Sequence, residues 1–108
     1  MNLLITGAWQ EAEKSINTIE NMGHKVVFMQ YEKDELPCDY EWVEGVICNG
    51  LFLSHPIEKF VNLKYIQLTS AGYDRVPMEY VNRHNITINN ARGVYSIPMA
   101  EYAIAGVL

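Results

Sequence analysis

Cysteine is scarce in this chain of 108 residues, which carries only Cys38 and Cys48. The two form no C-x-x-C pair and have no histidines or further cysteines at zinc-like spacing, so no metal site is supported. Both are read as free thiols in a reducing compartment. Cys48 is a small buried residue within Val46-Ile47-Cys48, and Cys38 stands beside Pro37 in a polar loop with no sign of function. Long apolar runs are also missing. No stretch approaches the roughly 18 apolar residues of a membrane span, and no basic region precedes the apolar start of MNLLITGAW. No membrane partner is expected, and the location expected is cytoplasmic. Basic residues are few, 8 against 13 acidic ones for a formal net charge of -5, and they do not cluster into a stripe that would neutralise a phosphate backbone. Nucleic acid is therefore excluded as a partner.

What remains is an ordinary globular mixture, 49% hydrophobic and 19% charged, at a length that closes one core. Short apolar runs alternate with helical patterns, the signature of α/β units feeding a parallel sheet. Leu3-Leu4-Ile5, Lys25-Val26-Val27-Phe28-Met29, Val46-Ile47-Cys48, Leu63 to Leu68 and Ile86-Thr87-Ile88 read as five strands. Trp9, Ala12, Ile16, Ile19 and Met22 recur at helical steps, and Gly23 stands where that helix would stop. Residues 31–42 are acidic, mixed and interrupted by Pro37, which predicts a loop with at most one helical turn. Ser54 and Pro56 predict a helix start ahead of Ile57, Phe60 and Val61, and Pro77 opens another with Tyr80 and Val81 inward and Asn85 near its end. Five strands with short crossovers imply an α/β fold: a flavodoxin-like three-layer sandwich with a parallel five-stranded sheet.

Such a fold places its ligand sites at the carboxyl ends of the strands. After the first strand, Thr6-Gly7-Ala8-Trp9 lacks the spaced glycines of a dinucleotide fingerprint, the lysine of a phosphate loop and the acidic pair of a phospho-accepting receiver. Nor has it the hydroxyl-rich loop of a flavin-binding flavodoxin. Asn49-Gly50-Leu51-Phe52 follows the third strand, and Thr69-Ser70-Ala71-Gly72-Tyr73-Asp74 the fourth. A small-small-Gly run at a strand end lets backbone N–H groups converge on a carboxylate without a dedicated cation; the alternative is a plain glycine turn closed by Asp74. His24 after a helix-ending glycine, His55 before a proline and His84 at a helix end are expected at the surface, without a catalytic role.

The run Leu63-Lys64-Tyr65-Ile66-Gln67-Leu68-Thr69-Ser70-Ala71-Gly72-Tyr73-Asp74, the strand Ile86-Thr87-Ile88-Asn89-Asn90, then Gly93 and Ala100-Glu101, resembles the D-isomer-specific 2-hydroxyacid dehydrogenase family. The resemblance implies an enzyme that reduces a 2-keto acid to a D-2-hydroxy acid in a cleft between this domain and a Rossmann domain holding NAD or NADP. It places the substrate carboxylate on the amides of Ala71 and Gly72 beside Ser70, with Asn49, Gly50 and Leu51 flanking the cleft. Tyr95 matches a position from which a phenol reaches substrate, packing against Trp or Met being the alternative, and Glu101 is assigned a structural place at a helix start. Where the family has Thr-Pro or a similar pair, this chain has Ala91-Arg92, which bears on substrate identity.

The arginine, histidine and glutamate on which the family's chemistry rests are not matched, so no catalytic, cofactor-binding or metal-binding residue is assigned here. Residues 1–97 are expected to form the substrate-side domain. Residues 98–108, with Ile97, Ala100, Ala103, Ile104, Val107 and Leu108 in helical phase and no cap, are expected to begin the helix leading to an absent NAD-binding domain. The chain alone is expected to be inactive, with no cofactor bound, and the full-length protein to pair as a homodimer. The competing expectation is a stand-alone flavodoxin-like binding or interaction module without catalysis.

Overall fold

A computed structural model describes residues 1–70 and 72–90. Five strands, β1 (Asn2–Thr6), β2 (Lys25–Met29), β3 (Gly45–Cys48), β4 (Tyr65–Leu68) and β5 (Thr87–Asn89), form one sheet in the order β2-β1-β3-β4-β5, every neighbouring pair parallel. The strands are short apolar runs because both faces of the sheet are covered, and alternation then sends successive side chains to opposite cores. Leu3 and Ile5 of β1, Ile47 of β3 and Tyr65 of β4 meet α1 (Ala12–Asn21) through Ala12 and Ile19. Leu4, Val46, Cys48, Ile66 and Leu68 face the other way, onto Leu51, Ile57, Phe60, Val81 and Ile86. Helical segments therefore lie on both faces, and the three-layer α/β arrangement expected from the sequence is the one observed.

Two helix ends show how local sequence sets the chain's path. Helix α1 stops at Met22, and Gly23 follows with φ of 96°, a left-handed conformation that a glycine adopts without steric cost. After α3 (Met78–Arg83), Asn85 takes φ of 55°, with Asn85 N–H donating to the Asn82 carbonyl at 3.4 Å and Ile86 N–H to the Val81 carbonyl at 3.0 Å. This Schellman arrangement turns Ile86 inward beside Val81 and starts β5 one residue later than the sequence suggests.

The segment after β3 departs from the sequence reading. A single helical turn, α2 (Leu51–Ser54), begins directly after Gly50, so Ser54 ends a helical turn and does not start one. His55 is then extended, as a residue before proline must be, and Pro56 leads a 3-10 turn at Ile57–Lys59. Ile57 and Phe60 are buried as expected, whereas Val61 is 63% exposed. The 31–42 stretch is a loop with one 3-10 turn at Tyr40–Trp42.

Two of the three histidines expected at the surface are buried. His55 is 6% exposed; its Nδ1 pairs with the Tyr40 hydroxyl at 2.9 Å, and its Nε2 lies 2.9 Å from the Asp34 carbonyl. A carbonyl only accepts, so Nε2 carries the proton and Nδ1 accepts from the phenol. That clamp ties the 31–42 loop to the segment after β3. His84 is exposed and stacks on Tyr80 at 4.0 Å.

His24 is 4% exposed, and neither ring nitrogen has a hydrogen-bond partner. Burial first, then the α-amino charge at Met1, lowers its pKa below 6.5, with the Met1 backbone pulling weakly the other way. The unfolded chain takes up this proton near pH 6.5 and the folded chain resists it, so folding is undisturbed above pH 6.5 and weakens as pH falls through the window below it. The expected outcome is a urea midpoint that drops between about pH 7 and pH 5.5. His24→Leu should flatten that drop and hold the pH 7 midpoint within about 1 kcal/mol of wild type, since an unpartnered buried polar group is removed. Equal acid slopes in the two proteins would refute the assignment.

Candidate functional site

A parallel sheet brings the carboxyl ends of its strands to one edge, where the loops after β1, β2, β3 and β4 converge. Glu32, in the loop after β2, dominates that edge. Its Oε2 accepts from Thr6 Oγ1 and Asn49 N–H, and its Oε1 from Gly50 N–H, each at 2.8 Å. One carboxylate thus stitches together the ends of β1, β2 and β3, and the two amides it holds are the convergent donors at which a small anion would otherwise bind. The Thr6 hydroxyl in turn accepts from Ala8 N–H at 3.3 Å. Beneath Glu32, burial and then the Glu32 charge push the Cys48 thiol far above its ordinary pKa, so it stays protonated.

Asn49, Gly50, Ser70 and Gly72 stand together on this edge at the ends of adjacent strands, the two loops being joined by Thr69 N–H to the Cys48 carbonyl at 3.0 Å. Leu51 contributes differently from the expectation. Its side chain is fully buried in the core, and its backbone N–H is directed to the Cys48 sulfur, so it supports the cleft wall from behind. At the turn after β4, Asp74 leans over Gly72, where an added methyl would come within 2.8 Å of Asp74 Oδ1 and push the carboxylate aside. Ala71, Tyr95, the Ala91-Arg92 departure, Glu101 and the helix expected over 98–108 lie outside the described residues.

Two residues on this edge escaped the sequence reading. Glu32 lay inside what read as an undifferentiated acidic loop. Its role follows from the sheet order, which sets β2 two places from β3, and no local pattern carries that. Arg75 lies one residue past the recognised run Leu63 to Asp74 and faces sideways: its Nη1 donates to Asn49 Oδ1 at 3.2 Å, and its Cδ lies 3.7 Å from where a Cβ on Gly50 would sit. Tyr31, Leu53 and Tyr73, at 66%, 70% and 37% exposure, are three of the four exposed large apolar residues among those described, and they follow β2, β3 and β4. Three exposed apolar side chains thus stand around polar strand ends, beside the exposed Asp74 and Arg75.

The loop after β1 makes no dinucleotide cradle. Gly7 N–H donates to the Met29 carbonyl at 2.9 Å, Ala8 N–H to Thr6 Oγ1 and Trp9 N–H to the Thr6 carbonyl at 3.3 Å, so its amides are spent internally. A shallow cavity of about 300 Å³ beside Trp9, Phe28 and Gln30 lies at the β1–β2 side, away from the loops after β3 and β4. Among the described residues no group of three or more His, Cys, Asp or Glu can hold a metal ion, and no helix is long and apolar enough to cross a membrane.

Fold and edge together define an α/β domain whose candidate ligand face is the carboxyl end of a parallel sheet. The chain belongs to the D-isomer-specific 2-hydroxyacid dehydrogenase family, whose catalytic-domain profile matches residues 3–106. Among solved structures it is similar to the apo form of D-lactate dehydrogenase from Escherichia coli, with TM-score 0.57 and 19% identity, covering 97% of this chain and 35% of that one. It is also similar to phosphoglycerate dehydrogenase from Lactobacillus plantarum, with TM-score 0.48 and 17% identity, covering 97% of this chain and 34% of that one. The chain thus spans about a third of the length of these enzymes. No curated protein sequence matches it.

The Glu32 assignment predicts a rescue. Glu32→Ala strands the Asn49 and Gly50 amides and should cost about 2–3 kcal/mol of stability. Glu32→Gln should recover only part, because its amide NH2 meets a backbone donor. Formate at tens of millimolar should raise the thermal midpoint of Glu32→Ala and leave wild type unmoved, since only the variant offers vacant donors. An alanine variant as stable as wild type would refute the stitch.

Proposed function

We propose that this chain is the substrate-side domain of an NAD(P)-dependent oxidoreductase that reduces a 2-keto acid to a D-2-hydroxy acid. The observation that carries the reading is the family match over residues 3–106. The ligand edge supports it, being built as half of a cleft: polar strand ends at its floor, with uncovered apolar side chains around them.

In this reading the turn 70–72 presents backbone N–H groups to the substrate carboxylate, and the Asn49–Gly50 loop walls the neighbouring side. With its own amides closed by Glu32, that wall leaves the β4 turn as the carboxylate's seat. A second domain of a longer protein closes over Tyr31, Leu53 and Tyr73 and excludes water. The described residues do not fit a nicotinamide dinucleotide, so the hydride source and the proton donor belong to that second domain. This chain contributes binding and orientation, which act by fixing the reacting carbonyl in place. The longer protein is expected to work as a homodimer in the cytoplasm, a compartment suited to the free thiols Cys38 and Cys48.

The test is to express the complete reading frame containing this chain beside residues 1–108 alone, and to follow NADH and NADPH oxidation with a panel of 2-keto acids. The complete protein should oxidise one of the two with a 2-keto acid and release product of the D configuration. The 108-residue chain should show no turnover above background. Reduction by the short chain, or a complete protein inert toward every keto acid, would overturn the proposal in favour of a binding module.

A further inference from the structure

Arg75 is placed to do more than shape a turn. Across the ladder from Asn49, it comes off the turn after β4 and crosses to the loop after β3, where Asn49 Oδ1 accepts from one of its guanidinium N–H groups at 3.2 Å. A guanidinium offers five N–H donors in a planar fork, so most of them remain open. Among the described residues Lys14, Lys64 and Arg83 each pair with a carboxylate within 4 Å, whereas Arg75, like Lys25, Lys33 and Lys59, has no such partner, and of these four it is Arg75 that is held against the loop after β3. The nearby carboxylate of Glu32 is already taken up by Thr6, Asn49 and Gly50. The result is an exposed cation, aimed by a neutral hydrogen bond, at the lip of the ligand edge.

Resting on the function proposed above, we infer that Arg75 selects substrate: it pairs with a second anionic group, carried at the end of the 2-keto acid remote from the carboxylate that the β4 turn holds. The favoured substrates are then dianionic keto acids. A carboxylate and a phosphate satisfy the same fork by two parallel N–H bonds, so the shared chemistry is a planar or trigonal set of anionic oxygens.

The experiment uses the complete protein and measures kcat/KM for pyruvate, for oxaloacetate as the dicarboxylate and for phosphohydroxypyruvate as the phosphorylated keto acid, in wild type, Arg75→Gln and Arg75→Lys. Wild type should prefer at least one dianion over pyruvate by about tenfold or more, and which one wins identifies the second group as carboxylate or phosphate. Arg75→Gln should cut kcat/KM for that dianion by about 10- to 100-fold while leaving pyruvate within about twofold, the loss expected for one charge-assisted contact. Arg75→Lys should retain part of the preference, keeping the charge but losing the fork. Turnover of all three at similar efficiency, or equal losses for pyruvate and dianion in Arg75→Gln, overturns the inference while the proposed function stands. An Arg75→Gln protein with a lowered thermal midpoint overturns it too, marking the residue as structural. No turnover of any keto acid by wild type overturns both.

Discussion

Backbone N–H groups released where parallel strands end must find acceptors, and in this sheet one carboxylate carried from β2 meets that demand at the end of β3 while taking the Thr6 hydroxyl of β1 as well. Glu32 accepts from Thr6 at the end of β1 and from Asn49 and Gly50 at the end of β3, while its own backbone continues from β2. The rest of the edge depends on this knot. It fixes the height of the β3 loop against β4, so Asn49 presents its side-chain oxygen to Arg75 and its backbone inward. Because Glu32 lies in a long loop, that loop must itself be held. His55 does so through the Asp34 carbonyl and the Tyr40 hydroxyl, and Tyr40 packs edge-on against Phe60 at 4.9 Å. A buried imidazole at the foot of the segment after β3 thereby positions a charged group at its head.

The two cores explain why so short a chain can hold this edge steady. β3 and β4 are buried along their whole length and β1 from Leu3 onward, and their side chains alternate between the α1 face and the face of α2, α3 and the 3-10 turn. A one-residue slip in any of them would exchange the two sets, placing Tyr65 and Gln67 where Ile66 and Leu68 pack. Tyr65 makes that slip costly in polar terms as well: its hydroxyl donates to Gln67 Oε1 at 2.8 Å, and Gln67 donates onward to the Leu68 carbonyl at 3.0 Å, all inside the protein. Register and edge geometry are thus one constraint, since the position of the turn after β4 follows from where Leu68 ends.

Most of the fold was legible because doubly buried strands announce themselves as apolar runs, and α1 as a three-four spacing closed by Gly23. The β3–β4 connection was not, because a one-turn helix such as Leu51–Ser54 has too few residues to show a period, and Pro56 drew the helix start past it. The burial of His24 and His55 was invisible for a different reason: it is decided by what packs over them from distant segments. The motif around Ser70 to Asp74 pointed to the carboxyl edge of the sheet, and the residues at the ends of β3 and β4 do meet there. Glu32 could not have been found in that way. Its partners are 17, 18 and 26 residues away, and only the strand order β2-β1-β3 brings them together.

Electrostatics at the edge separates two kinds of donor. The β3-loop amides face a carboxylate of the protein's own, so an incoming anion finds them closed and meets the residual charge of Glu32 if it tries to approach. Arg75 lies beside this hydrogen-bonded knot with its guanidinium on the solvent side. The chain carries a net charge of -5, which on its own would hold a doubly charged substrate off. At physiological ionic strength that general repulsion fades over about 8 Å, so within the cleft the sign of the field is set by the nearest unpaired group. An acidic domain can therefore receive an acidic ligand, provided that its own carboxylate is tied to backbone donors and its arginine is not tied to a carboxylate. Glu32 and Arg75 meet those two conditions where each contacts the loop after β3.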